Sequence, residues 1–152
     1  MSDFKIYVKS ILVPVLIGGI VGVLISKVID YNTLIKPLLA PPSILFPIVW
    51  TILYILMGIS YGMLKTKSLT DSKINQIYYT QLFINAFWPI LFFYLKLRLF
   101  SFIWIILLDI LIVVMIVQFY QKDKTAGLIQ IPYLLWSLFA SYLNFAIYLL
   151  NN

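Results

Sequence analysis

The sequence contains no cysteine and no histidine among its 152 residues. Without cysteine there is no disulfide, no thiol nucleophile and no thiolate ligand for zinc or iron. Without histidine, Ser-His-Asp and Cys-His catalysis drop out, as does His-ligated haem. No cysteine- or histidine-based metal centre and no resident cofactor is expected. Charge is scarce too: 11% of residues are charged and 63% are hydrophobic, far from a soluble composition. No basic stripe alternates with aromatics in a polar segment, so nucleic acid is not an expected partner. No general acid–base pair presents itself, which argues against hydrolysis.

What fills the chain is a rhythm of five long apolar runs, at about 8–29, 43–64, 74–95, 99–120 and 128–150. Each is close to the ~20 residues that a helix needs to cross ~30 Å of hydrocarbon. In lipid every backbone polar group must be satisfied within the chain, so runs of this kind become helices. The expected fold is all-α: one domain over 1–152, a polytopic membrane protein with a five-transmembrane-helix bundle. Lys5 and Lys9 precede the first run, but no small-residue cleavage site follows it. It is read as a retained helix rather than a signal peptide.

The net charge of +6 arises from 11 basic and 5 acidic residues, nearly all in the connectors and the N-terminal tail. Lys5, Lys9, Lys65, Lys67, Lys73, Lys122 and Lys124 fall on one side; Lys27, Lys36, Lys96 and Arg98 fall on the other. The positive-inside rule then places the N-terminus in the cytoplasm. A short chain without a targeting peptide suits a bacterial cell membrane.

Gly18 and Gly22 in the first run, and Gly58 and Gly62 in the second, have the i, i+4 spacing that lets helix backbones approach. Packing within the bundle and a homodimer interface both use such pairs. Pro14 falls within or near the first turns of the first run, where it kinks a helix or is tolerated. The connector Asp30–Pro42 is stiffened by Lys36-Pro37 and Pro41-Pro42. It either covers a bundle mouth or simply spans two helix ends. Lys96–Arg98 is a tight turn that makes the third and fourth runs antiparallel neighbours.

Residues that could bind a ligand gather on three faces. Phe46, Trp50, Tyr54, Met57 and Tyr61 recur at helical spacing, as do Gln81, Asn85, Trp88 and Phe92, with Pro89 interrupting the ladder. Tyr133, Trp136, Ala140, Leu143 and Asn144 form the third stripe. Tyr31, Tyr120 and Tyr148 suit the membrane interface. Gln81 and Asn85 are costly against lipid and are expected inside. Together the stripes describe an aromatic pocket with few polar groups, suited to a large flat apolar ligand, although close packing alone makes similar stripes. Asp109 is the one acid in the middle of a run. It is expected to be a structural, buried acid hydrogen-bonded to a neighbouring helix.

These residues resemble the tryptophan-rich sensory proteins, bacterial relatives of the translocator protein or peripheral benzodiazepine receptor. Lys36-Pro37-Leu38-Leu39-Ala40-Pro41-Pro42, then Phe46, Pro47, Val49, Trp50, Thr51, Leu53 and Tyr54, is similar to that family's K-P-x-W-x-P-P…F-x-P-V-W-T-x-L-Y. Gln81–Pro89 with Phe92-Phe93 resembles Q-L-x-L-N-x-x-W-P…F-F, Leu107-Leu108-Asp109 its L-x-D, and Pro132–Asn144 its P-Y-x-x-W-x-x-F-A-x-x-L-N.

The resemblance implies a five-helix bundle, commonly a homodimer, that binds porphyrins, notably protoporphyrin IX, and isoquinoline carboxamide or benzodiazepine-like molecules. Its pocket would comprise Tyr31, Pro41, Pro42, Phe46, Trp50, Tyr54, Asn85, Trp88, Phe92, Trp136, Ala140 and Leu143. Trp50 and Trp136 match two tryptophans proposed as catalytic in light- and oxygen-dependent degradation of protoporphyrin IX. Two loop positions depart: Leu39 and Asp30 stand where the family has tryptophan, leaving the loop poorer in aromatics. No Lys or Arg follows Tyr148, so sterol binding is not carried over. Three functions therefore compete: a porphyrin-binding receptor or sensor, a photo-oxidative degrader, and a small transporter of porphyrins or other lipophiles.

Overall fold

Ser2 starts the first helix: its side chain accepts the Lys5 N–H at 3.4 Å, with Asp3 in the first turn. Hydroxyl capping satisfies one of the four N–H groups that a helix start leaves free. The computed structural model describes residues 2–152, which are helical or in turns and connectors, with no strand among them. The helices are α1 (Asp3–Ile25), α2 (Leu45–Thr66), α3 (Ser72–Pro89), α4 (Arg98–Lys122), α5 (Lys124–Leu128) and α6 (Ile131–Asn151). A wide, π-type turn over Ile90–Tyr94 continues α3.

Helix ends depart from the apolar runs where capping decides. The first helix begins at Asp3 and stops at Ile25, because the lysine-bearing turns are helical while 26–29 leave the axis. Asp71 caps α3 by accepting the Ile74 N–H at 2.9 Å, and Asp123 caps α5 by accepting that of Ala126 at 3.1 Å. The last run starts later than its hydropathy indicates: 124–128 form the separate α5, and α6 begins at Ile131 with Pro132 in its first turn. Proline is tolerated there because its missing N–H would be free anyway. Pro89 has no N–H for the ladder, and beyond it the bonds widen, Leu95 N–H reaching the Ile90 carbonyl at 2.9 Å. Lys96, at φ +55, then turns the chain into α4.

Pro14 lies well inside α1 without ending it. Lacking an N–H, it cannot donate to the Ser10 carbonyl. That carbonyl lies against Gly58, where a Cβ would fall 2.6 Å from it. Gly62 similarly admits the Tyr7 ring, and Gly18 the Tyr54 ring. Three of the four spaced glycines thus serve packing within the chain. Gly22 has nothing within 4 Å.

The bundle order follows from contacts: α1 lies along α2 and touches α3, α3 packs on α4, and α4 on α6. Short α5 fits between α4 and α2, where the Ser60 hydroxyl donates to the Ala126 carbonyl at 2.6 Å. α2 meets α6 through rings, Phe46 with Trp136 at 5.9 Å and Trp50 with Tyr133 at 6.4 Å. Leu53, Met57, Leu82, Ile105, Leu108, Ile112 and Met115 fill the core below those rings.

Four helical stretches are long and apolar enough to cross a membrane: Asp3–Ile25, Leu45–Thr66, Arg98–Lys122 and Lys124–Asn151. α3 falls outside that set because Lys73, Asn75 and Gln76 in its first turns, with the buried Gln81 and Asn85, make it more polar.

Candidate functional site

A cavity of about 430 Å³ lies among α1, α2, α3 and α6, on the side of the bundle where the α1–α2 connector sits. Its wall includes Tyr31, Phe46, Trp50, Tyr54, Asn85, Trp88, Phe92, Ala140 and Leu143, nine of the residues that sequence reasoning selected. Rings dominate it. Trp50 stacks on Tyr54 at 5.9 Å and Trp88 on Phe92 at 5.2 Å, while Tyr31 meets Phe46 edge-on at 5.0 Å. Offset and edge-on pairs are the favourable geometries for aromatic quadrupoles.

The buried amide and phenol groups in the wall are already engaged. Tyr54 donates to Asn85 Oδ1 at 2.6 Å, Asn85 Nδ2 donates to the Tyr133 oxygen at 2.8 Å, and Tyr133 donates to Gln81 Oε1 at 2.7 Å. Gln81 Nε2 completes the chain by donating to the Tyr78 carbonyl at 2.9 Å. This buried line ties α2, α3 and α6 together, and full satisfaction makes such a network rigid. A second set sits nearer the connector: Trp88 Nε1 donates to Asn144 Oδ1 at 2.9 Å, and Asn144 Nδ2 donates to the Arg98 carbonyl at 2.8 Å. The surface left for a ligand is therefore aromatic and aliphatic, with amide and phenol groups held in fixed directions.

Pro41, Pro42 and Trp136 do not line the cavity. The Pro41 carbonyl accepts the Tyr31 hydroxyl at 2.6 Å, so this proline holds the connector against the ring that does line it. Burial pushes the Tyr31 hydroxyl above its usual pKa of 10.0. Pro42 is exposed, and its carbonyl accepts the Leu45 N–H at 3.1 Å where α2 begins. Trp136 stands behind Phe46 and against Phe139 at 5.5 Å. Its Nε1 is buried without a hydrogen-bond partner among the described residues.

Asp109 faces α6 and does not line the cavity. Its Oδ1 accepts from Ser137 at 2.5 Å and its Oδ2 from Ser141 at 2.6 Å, joining α4 to α6.

The connector is fastened across the cavity end at several points. Asn151 holds Ile35 on both sides, Oδ1 accepting its N–H and Nδ2 donating to its carbonyl, each at 2.8 Å. Tyr142 donates to the Leu38 carbonyl at 2.8 Å. The Lys36 ammonium reaches the carbonyls of Tyr31, Asn32 and Leu34 and lies 5.0 Å over the Tyr31 ring. Asp30 pairs with Arg98 at 2.6 Å. Leu39, the other departure, is 73% exposed at φ +73, directed away from the cavity.

The wall also contains what the residue stripes did not single out, chiefly α1: Val15, Gly18, Gly19, Val21, Gly22 and Ile25. Gly19 and Gly22 have no neighbour within 4 Å, so α1 presents bare backbone there. The glycine spacing was visible in sequence, but glycines that admit a ligand and glycines that admit a helix share it.

The sequence profile of the TspO/MBR family matches residues 10–150. The chain is 47% identical over 117 residues to the tryptophan-rich protein TspO of Archaeoglobus fulgidus, covering 76% of each. It is 40% identical over 124 residues to the protein of that name from Chlorobaculum tepidum, covering 80% of this chain and 78% of the relative. Protein CrtK of Rhodobacter capsulatus is 31% identical over 137 residues, 88% of this chain and 86% of its own. With that profile match, relatives spanning most of the sequence, and four helices long and apolar enough to cross a bilayer, the chain is an integral membrane protein belonging to the TspO/MBR family.

Proposed function

We propose that this protein is a membrane receptor or sensor that holds a porphyrin, protoporphyrin IX foremost, or a drug-like aromatic molecule, in the cavity among α1, α2, α3 and α6. The observation that carries the reading is the wall itself: about 430 Å³ bounded by Tyr31, Phe46, Trp50, Tyr54, Trp88 and Phe92, with the polar atoms of Tyr31, Tyr54, Asn85 and Trp88 already paired. Pockets of ~300–1,000 Å³ with apolar walls and a few fixed polar groups suit flat, largely apolar ligands. The absence of His and Cys fits a metal-free macrocycle better than axially ligated haem. Relatives named tryptophan-rich sensory protein and translocator protein homolog support a sensing or carrying role by analogy.

The proposal includes five crossings. α3 and its π-type turn connect the Asp71 end to the Lys96 end, and its low hydropathy comes from Lys73, Asn75 and Gln76 at its start together with the buried Gln81 and Asn85. The N-terminus is then cytoplasmic, in a bacterial cell membrane, and a homodimer interface must use surfaces other than Gly58 and Gly62, which α1 occupies. The proposal extends to light- and oxygen-dependent degradation of the bound macrocycle, with Trp50 and Trp136 as donors.

Titrating protoporphyrin IX into the purified protein while following tryptophan fluorescence tests the reading. Saturable quenching is expected, and Trp50→Phe, at the wall, should reduce it more than Trp136→Phe, behind Phe46. Loss of porphyrin absorbance on illumination, absent from the Trp50→Phe protein, would add turnover. Binding without that loss leaves a receptor or carrier. No saturable quenching at micromolar porphyrin overturns the reading.

A further inference from the structure

A second, smaller cavity lies by the α3–α4 turn and the end of α6. It has a volume of about 130 Å³ and is lined by Lys96, Arg98, Tyr148, Asn151 and Asn152. A wall residue of each cavity meets the other: the Arg98 guanidinium lies 5.1 Å over the ring of Phe92, which lines the main cavity. One cationic side chain thus stands where an aromatic compartment meets a polar one. Guanidinium accepts both neighbours, since its face stacks on a ring while its edge bonds oxyanions.

A carboxylate of the connector faces these cations. Asp30 Oδ2 lies 2.6 Å from Arg98 Nη2 and 4.0 Å from Lys96 Nζ. The pairing is incomplete: Asp30 Oδ1 and Arg98 Nε are buried without hydrogen-bond partners among the described residues. A guanidinium used at one nitrogen instead of two has forgone the bidentate geometry that makes such pairs strong. Lys36 is committed to backbone carbonyls, and Lys96 has no partner closer than 4.0 Å. Two cations therefore share one oxygen of Asp30, and neither pair is bidentate.

We propose that Arg98 and Lys96 form an oxyanion subsite for the carboxylate of a ligand whose apolar body fills the main cavity, and that Asp30 occupies this subsite in the ligand-free protein. A ligand carboxylate takes the Arg98 edge, and Asp30, displaced, frees the connector at that point. The replacement of an aromatic residue by Asp30 then has a physical role, since it makes the closed connector compete with the ligand. The ligand class rests on the reading above, narrowed to molecules that combine a flat apolar body with a carboxylate.

The test compares acids with their esters on protein in phosphatidylcholine nanodiscs, using protoporphyrin IX and its dimethyl ester, and in parallel 1-pyrenebutyric acid and its methyl ester. The wild type should prefer each acid. Asp30→Asn should tighten both acids by about threefold to tenfold, the range of a partly exposed charge-assisted contact, and leave the esters unchanged. Arg98→Gln should remove the acid preference, Arg98→Lys should keep part of it, and Lys5→Gln, at the opposite end, should alter neither. Equal effects of Arg98→Gln on acid and ester, or none of Asp30→Asn on the acids, overturn the subsite. Loss of the acid preference when phosphatidylglycerol replaces part of the phosphatidylcholine reassigns it to a lipid headgroup and also overturns it. Pyrene acids following the pattern while porphyrins fail to bind would sink the porphyrin reading alone. Porphyrins binding without the pattern would sink the subsite alone, and binding by neither pair would sink both.

Discussion

Single residues in this bundle act through whether their polar atoms have somewhere to go. Asn85 bonds Tyr54 and Tyr133 at once, so Asn85→Leu strands the Tyr54 hydroxyl inside the bundle and leaves that of Tyr133 only its bond to Gln81. Hydrogen bonds between membrane helices average ~0.6 kcal/mol each and reach ~1.7, which sets a loss of about 1–3 kcal/mol. A lower melting temperature in detergent, with weaker ligand binding, is the expected outcome, whereas unchanged melting would show that the line of bonds contributes little. Asp109 and Asn85 were both legible in sequence as polar residues that lipid would reject. Their partners were not, because Ser137, Ser141 and Tyr133 lie far along the chain, on a different helix. Trp136 shows the opposite limit. Its stripe is the right one, yet the intervening Phe46 ring decides that it backs the wall instead of forming it.

At the scale of elements, close backbone approach and end capping do the holding. Gly58→Ala puts a methyl 2.6 Å from the Ser10 carbonyl and 2.8 Å from Ile11 N, backbone atoms that cannot turn aside. Overpacking of this kind costs about 1–3 kcal/mol, more than the roughly 1 kcal/mol that alanine gains over glycine in a helix. Gly58→Ala should therefore lower thermal stability, while Gly19→Ala, with nothing within 4 Å, should leave it equal or slightly higher. A matched pair of melting curves decides it.

The opposite ends of α3 and α4 carry a second kind of fastening. Lys122 bonds Asp71 at 2.8 Å, and Lys67 pairs with Asp123. These lysine contacts, followed by the capped N–H groups, hold both carboxyls below the usual value of 3.8. A folded value below the unfolded one gives stability that is full above the unfolded value and declines as pH falls through the folded one. Acid titration should thus loosen this end below about pH 4, and Asp71→Asn with Asp123→Asn should flatten that dependence. An unchanged acid limb would rule the pairs out as its source. The helices themselves were legible because each apolar run must form one. Their ends were less so, since Ser2, Asp71 and Asp123 decide them by capping, which hydropathy does not register.

For the molecule as a whole, the connector is the part most open to rearrangement, since it is held by few bonds outside the helical ladders. Asn151 is its principal tether at Ile35, from the far end of the chain. Asn151→Ala should raise amide exchange at Ile35 by tenfold or more, the equivalent of about 1.4 kcal/mol, while exchange in the core of α4 stays as it is. Equal protection in both proteins would mean that Tyr142 and the Asp30–Arg98 pair hold the connector without it. A ligand that displaces Asp30 should act on this same element.

The sequence by itself determined the helical fold, the membrane as solvent, the family and three aromatic faces. Hydrocarbon leaves an apolar chain no alternative to internal backbone bonding, and the spacing of rings along a helix is arithmetic. Only the tertiary structure decided which glycines meet a helix and which meet a cavity. It also decided that α1 supplies a wall and that Asp30 finds Arg98 across 68 positions of chain. Those outcomes depend on how helices sit beside one another, which side-chain packing sets through contacts between residues distant in sequence.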